Sequence, residues 1–330
     1  MKFSLCTLSI IILFNQLSSN LVQAQQFPVD VVNALENKFG VHKGQRRNHT
    51  KGLCFAAEFT GNKAMQQYSE SQLFSGNKVN VIGRFSHAGG YAAISDNAVN
   101  THGMALRFIL PHSELHQMAM LNLPFFDVAT PQGFLAKQLA TVKDPQTGKP
   151  DPAKVAAFKA QYPEVKKLEA ALKGQDRVPD GYEHDAYNSI HAFYLTNNQQ
   201  QTAARWSFIP DLGIKKLSHS ELTKKDSEFL TAHLKQSLKQ RKVSWHMQVT
   251  LANPGDALTD PTEQWAGLHQ QIDAGTLTLT SLNAECESIN YDPLLLSKGF
   301  LPTQDPVLLA RSPAYAVSFG RRLTETAQHK

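Results

Sequence analysis

Three cysteines in 330 residues are too few to build a disulfide scaffold. They include no Cys-x-x-Cys pair, and the thirteen histidines form no His-Glu-x-x-His pattern, so no zinc spacing is present. Concentrated charge is also missing. The formal net charge of +5 is spread along the chain, and the one basic tract, Lys215-Lys216 to Lys225, is broken by Ser and Glu. It reads as a solvated face and argues against a nucleic-acid partner. No apolar run approaches the roughly 20 residues that span a bilayer. The longest, residues 3–14, is ended by Asn15 and Gln16, which argues against a membrane anchor. Preceded by Lys2 and followed by Val22-Gln23-Ala24, a small-x-small cleavage site, it reads as a secretion signal over residues 1–24. Cys6 has no lipobox before it. Cleavage would leave 330 − 24 = 306 residues, a formal charge of +4 and a periplasmic destination.

The remaining chain, residues 25–330, has the composition of a globular protein, with 42% hydrophobic and 18% charged residues. It contains no internal repeat and no low-complexity tract. Residues 29–39 carry a helical stripe of Val31, Val32, Leu35 and Phe39. Residues 53–60, 79–85, 91–94 and 104–109 read as strands separated by Gly and Asn turns, and strands resume at 190–195, 203–209 and 243–251. Between these groups, Asp151-Pro152 opens a helical stretch closed by Gly174, and residues 227–240 are amphipathic through Leu230, Leu234 and Leu238. The C-terminal helix begins at Ser312-Pro313, or at Asp305-Pro306 with Pro313 inside it. Two cysteines, Cys54 and Cys286, survive signal cleavage. Pairing is possible by count. The apolar run Leu53-Cys54-Phe55-Ala56-Ala57 instead favours two separate thiols, at least one of them buried.

Two short motifs at opposite ends of the chain carry the chemistry. Arg46-Arg47-Asn48-His49-Thr50-Lys51-Gly52 lies near the start, and Arg311-Ser312-Pro313-Ala314-Tyr315, followed by Arg322, near the end. On a helix, Arg311, Tyr315 and Arg322 share one face. A phenol titrates near pH ~10, and guanidinium groups beside it favour the phenolate, a hard anionic ligand. Arg-x-x-His-x-Lys-Gly resembles the distal histidine motif of the haem catalases. Arg-x-x-x-Tyr resembles their proximal tyrosinate helix. Matches in order fill the interval: Arg84-Phe85-Ser86; Leu121-Asn122-Leu123-Pro124-Phe125-Phe126 with Phe134 beyond; Tyr187-Asn188-Ser189-Ile190-His191-Ala192-Phe193; Trp245 to Val249; and Tyr291-Asp292-Pro293 with Gly299. The chain resembles the short branch of that superfamily, the catalase-related peroxidases, over roughly residues 27–323. It departs from the large catalases at Asn100-Thr101-His102-Gly103, where they read Arg-x-x-Arg-Gly, and no further domain follows the last helix.

The resemblance implies an α+β fold: an antiparallel eight-stranded β-barrel of the haem catalase type with surrounding helices. It implies haem, and the absence of Cys-x-x-Cys-His points to the non-covalent b form. Tyr315 would be the iron ligand, kept ionised by Arg311. Arg46, Arg84 and Arg322 would meet the propionates, and Phe126 and Phe134 would line the pocket. His49 would move the peroxide proton, Asn122 would hold the peroxide in line, and Ser86 would fix the tautomer of His49. The expected partners are a small-molecule peroxide and an organic electron donor, with no nucleotide cofactor, in a response to oxidative stress. A true dismutating catalase, a fatty-acid hydroperoxide isomerase and a non-enzymatic haem carrier are the competing readings.

Overall fold

Alternation along one strand sets the architecture. In β1 (Gly52–Gly61), Phe55, Ala57 and Phe59 are buried on one face while their neighbours point the other way, as the two-residue period of a strand requires. The computed structural model describes residues 26–198 and 200–328. The expected secretion signal lies outside the described residues. β1 pairs antiparallel with β2 (Lys78–His87), which pairs with β3 (His102–Ile109), and then β4 (Leu115–Leu121) follows. The ring continues through β5 (Tyr187–Asn188), β7 (Gln200–Pro210), β8 (Ser244–Leu251) and β9 (Gln271–Ser281), which returns to β1. β6 (Phe193–Asn197) follows β5 along the same edge of β7 and carries β10 (Phe300–Pro302). Pairing of β7 with β8 closes an antiparallel barrel of eight strands, leaving no open edge in the ring.

Side chains fill the barrel. Phe55, Phe85, Phe108, Phe208, Trp245 and Met104 are completely buried in one cluster. The Phe85 ring stacks on Tyr182 with centroids 4.7 Å apart. Gly83 permits this packing, because a Cβ there would fall 2.1 Å from the Phe55 ring. A barrel of this size has room for side chains or one small ligand. With the interior taken, a larger ligand must lie on the outer wall.

The helices supply that outer space. α1 covers residues 26–39. α2 (Pro131–Ala140), α3 (Pro152–Gln161) and α4 (Val165–Leu172) follow the fourth strand, and α5 (His219–Leu222) and α6 (Phe229–Gln240) precede β8. The long α7 (Pro306–Ala327) starts at Asp305, whose carboxylate accepts from the amides of Val307 and Leu308 at 2.8 and 3.2 Å. Of the two starts considered for this helix the earlier one is correct, and Pro313 lies inside it.

Three local expectations are corrected. Residues 91–94 form a turn, not a strand, and the edge of the Tyr91 ring packs on Phe39 at 4.9 Å. Ile190, expected to open a strand, sits at φ 67° in the left-handed region, and β6 begins at Phe193. Cys54 and Cys286 are not separate thiols. They form a disulfide across a sequence separation of 232, with Cα atoms 5.6 Å apart. An apolar run over residues 53–57 says nothing of the strand period, which turns Cys54 away from the interior face of Phe55 and toward the 286 segment. Cys286 is fully buried, as one of the pair was expected to be.

Candidate active site

One cavity of about 1090 Å³ lies between the outer wall of β2–β4, α1, the α2–α4 segment and α7. It matches the upper end of the usual range for ligand sites, roughly 1,000 Å³. α7 enters it as a stripe: Val307, Ala310, Arg311, Ala314, Tyr315, Ser318, Phe319 and Arg322 all line the wall, at the three- and four-residue spacing of one helix face. The Arg311 guanidinium donates to the Tyr315 phenol oxygen at 2.8 Å, one turn away on the same face. Arg322 does not flank the phenol directly. Its Nη2 donates to the Ile289 carbonyl at 3.3 Å, and its Nη1 is buried with no hydrogen-bond partner among the described residues, the Glu287 carboxylate lying 4.0 Å away.

His49 faces the same cavity from the chain's other end. Its Nδ1 lies 3.0 Å from the Ser86 hydroxyl oxygen. Its backbone is left-handed at φ 57°, an uncommon conformation stored most often at functional positions. Local bonds hold it: the Asn48 side-chain oxygen accepts from the His49 amide at 3.0 Å, and Arg84 donates to the His49 carbonyl at 2.8 Å. Burial lowers the imidazole pKa from 6.5 to about 3, and Arg84, Arg311 and Arg46 push in the same direction. His49 is therefore neutral near pH 7, with one nitrogen free to accept a proton. Gly103 makes the close approach possible. A Cβ there would lie 3.0 Å from Ser86 Oγ and 3.4 Å from His49 Cε1.

The three arginines expected at carboxylates converge on one, although it belongs to the chain. Arg46 and Arg84 both pair with Glu287, the latter at 2.8 Å, and Arg322 lies 4.0 Å from it. Glu287 is largely exposed and follows the disulfide cysteine directly. Sequence reasoning missed it, because a lone acid in a loop carries no spacing signal. Phe126 and Phe134 both line the cavity and stack with centroids 6.3 Å apart. Asn122 differs from expectation. Leu121 and Leu123 line the cavity, but Asn122 is not among its lining residues. Its carboxamide donates to Asp185 at 2.8 Å and accepts from the His102 amide at 2.8 Å. The reason is local: Asp185 is a buried carboxylate whose pKa burial raises, and Asn122 and Lys216 supply its donors.

Missed as well was His191, which lines the cavity beside Ile190 and sits 2.6 Å through Nδ1 from Asp305, the cap of α7. This contact ties the entry of α7 to the barrel. The cavity thus offers a phenol oxygen on one wall, an imidazole on another, apolar flanks, and guanidinium groups of which one has an unsatisfied buried nitrogen. That donor set fits a planar, apolar macrocycle with an oxygen-ligated metal and acidic arms.

The chain belongs to the catalase family, whose model, described as Catalase, matches residues 40–329. Within that family the relationship is to its shorter members. The chain is 45% identical over 300 residues to a catalase-related peroxidase of Synechococcus elongatus, covering 89% of this chain and 88% of the relative. A second catalase-related peroxidase, from Mycolicibacterium paratuberculosis, is 27% identical over 296 residues, covering 88% and 93%. The protein is accordingly a peroxidase of the catalase family, an oxidoreductase acting on peroxide. Among solved structures, catalase A from Saccharomyces cerevisiae superposes with a TM-score of 0.77 at 22% identity, over 84% of this chain and 61% of that one. That likeness concerns the fold.

Proposed function

We propose that the chain is a haem b peroxidase of the periplasm that reduces hydrogen peroxide and organic hydroperoxides with an organic electron donor and dismutates hydrogen peroxide only weakly. One observation carries this reading: His49 and Tyr315, from opposite ends of the chain, line a single cavity, each held by a hydrogen bond to a chosen neighbour. The Tyr315 oxygen would hold the iron, oriented by the hydrogen bond it accepts from the Arg311 guanidinium. Arg46, Arg84 and Arg322 would hold the acidic arms once Glu287 yields its place. When bound, haem iron would supply the electrons that split the O–O bond.

The remaining chemistry belongs to this chain. His49 would accept a proton from one peroxide oxygen and return it to the oxygen that leaves as water or alcohol. Its neutral state near pH 7 suits the first task, and Ser86 fixes which nitrogen faces the cavity. Asn122 acts from behind the wall: by bonding both Asp185 and the His102 amide it fixes the start of β3, and so the place of Gly103 against His49. The cavity reaches apolar side chains of α3 and α4 such as Phe158, Val165 and Leu168, which favours organic substrates over small peroxide alone.

The test is a parallel assay of the haem-loaded protein with hydrogen peroxide and cumene hydroperoxide, with and without a phenolic donor. Donor-dependent turnover with both peroxides is expected. Steady oxygen release without donor would identify a dismutating catalase, and hydroperoxide loss without donor oxidation an isomerase. Bound haem without any turnover would leave a carrier.

A further inference from the structure

Four cations on the cavity wall have no carboxylate partner among the described residues, and three of them are otherwise placed: Arg311 holds the Tyr315 oxygen, Lys38 donates to Gln138 and Thr141, and Lys173 is exposed. Lys137 pairs with Asp127, Lys159 with Glu169 at 2.6 Å, Arg47 with Glu36 at 2.6 Å, and Arg46 and Arg84 with Glu287. Arg177, half-buried just after α4, lines the same cavity with no carboxylate within 4.0 Å among the described residues. Its polar contact is from Nη2 to the Thr101 hydroxyl oxygen, at 3.3 Å. Burial draws its pKa below the ordinary arginine value, and no nearby acid offsets that cost. A half-buried guanidinium with a single protein hydrogen bond keeps donors facing the cavity solvent, where an anion can take the place of water.

Its position says which anion. Thr101 continues the β3 ladder, since its carbonyl accepts from the Ala88 amide at 2.8 Å. Gly103, two residues on, is the position where an added Cβ would come within 3.4 Å of His49 Cε1. Two residues of strand span about 7 Å. Leu168 and Leu172 of α4 line the wall beside Arg177 and offer an apolar surface. We infer that Arg177 is the carboxylate receptor of an organic substrate: an acid whose charged end bonds the guanidinium while an apolar spacer of roughly aryl size places its reacting group near His49. Planar, two-pronged carboxylates suit arginine better than any other cation. The inference rests on the peroxidase reading for the chemistry, but the binding it describes does not need turnover.

The experiment compares matched acids and esters. One pair consists of donors, a hydroxycinnamic acid and its methyl ester. The other consists of peroxides, a carboxyl-bearing aryl hydroperoxide and its methyl ester. Steady-state kcat/KM is measured for wild type, Arg177→Gln and Arg177→Lys, and calorimetry follows binding of unreactive cinnamate. Wild type should favour the acid in one pair, and that pair tells whether donor or peroxide is the anion. Arg177→Gln should lower the acid-to-ester ratio about tenfold, the usual scale of one charge-assisted bond, and weaken cinnamate binding to match. Arg177→Lys should retain part of both. An acid-to-ester ratio that is the same in wild type and Arg177→Gln for both pairs, or cinnamate binding unchanged in that variant, overturns the assignment. If wild type oxidises no donor, the peroxidase reading fails while the cinnamate measurement still decides the role of Arg177.

Discussion

His49 meets the Ser86 hydroxyl through Nδ1 at 3.0 Å, and this one bond determines which nitrogen of the imidazole faces the cavity. His49→Ala should slow reaction with peroxide by about 10²–10⁴, the range for a general acid–base group. Cofactor content should change little, because the holding groups lie elsewhere. Ser86→Ala should cost less, roughly tenfold, since the imidazole stays but loses its orientation. Stopped-flow mixing with peroxide measures both. An unaltered rate in His49→Ala would remove the histidine from the reaction.

The opposite wall gives a binding prediction. Tyr315→Phe deletes the oxygen that Arg311 holds at 2.8 Å. Haem titration of the purified chain should then show loss of tight binding or of the tyrosinate spectrum, with Arg311→Gln intermediate. An unchanged spectrum in Tyr315→Phe would transfer the ligand role to another residue.

Acid should destabilise the protein before carboxylates matter. Burial lowers His49 and His116 to about 3 each and His102 well below the ordinary 6.5. These folded-state values lie below the unfolded one, so the unfolded chain takes up protons first as pH falls. Stability is complete above about 6.5 and is lost progressively as pH falls from there toward 3. Denaturant midpoints between pH 7.5 and pH 4 should decline steadily, and His116→Asn should flatten the decline. A midpoint independent of pH across that range contradicts the neutral burial of these rings.

Reduction of the Cys54–Cys286 bond frees a loop with a sequence separation of 232. Disulfides of natural domains contribute about 2–4 kcal/mol, so dithiothreitol or Cys286→Ser should lower the melting temperature by several degrees. Because Glu287 follows Cys286 directly and meets Arg46 and Arg84, the same treatment should change haem affinity. Calorimetry and haem titration read the two effects separately.

The barrel strands with strict alternation were legible, β1, β2 and β3 to within two residues. β4 and β9 were not named: His116 and Gln117 dilute the apolar pattern of β4, whereas the Thr-Leu alternation of β9 was present and overlooked. The eight-strand count came from resemblance and not from periodicity. His49, Ser86, Arg311, Tyr315, Phe126 and Phe134 were named from motifs, and the structure gathers them at one cavity. Motifs report which residue types recur, not where an amide turns. Asn122 was named as a peroxide-holding residue, but its carboxamide bonds the buried Asp185, more than sixty residues later. Glu287 and Arg177 carry no local signal at all. Their meaning arises from which charges the fold leaves together and which it leaves alone.

Arg47, two residues before His49, is clamped between Glu36 of α1 and Glu325 in the final turn of α7, while Arg321 of that helix returns to Glu36 at 2.6 Å. The two ends of the chain are thus riveted beside the catalytic cavity. During synthesis the barrel strands emerge long before the helix bearing Tyr315, so the distal half of the site must wait for its floor. A cofactor held through Tyr315 would therefore be captured only once α7 has docked against α1 and the Arg47 segment.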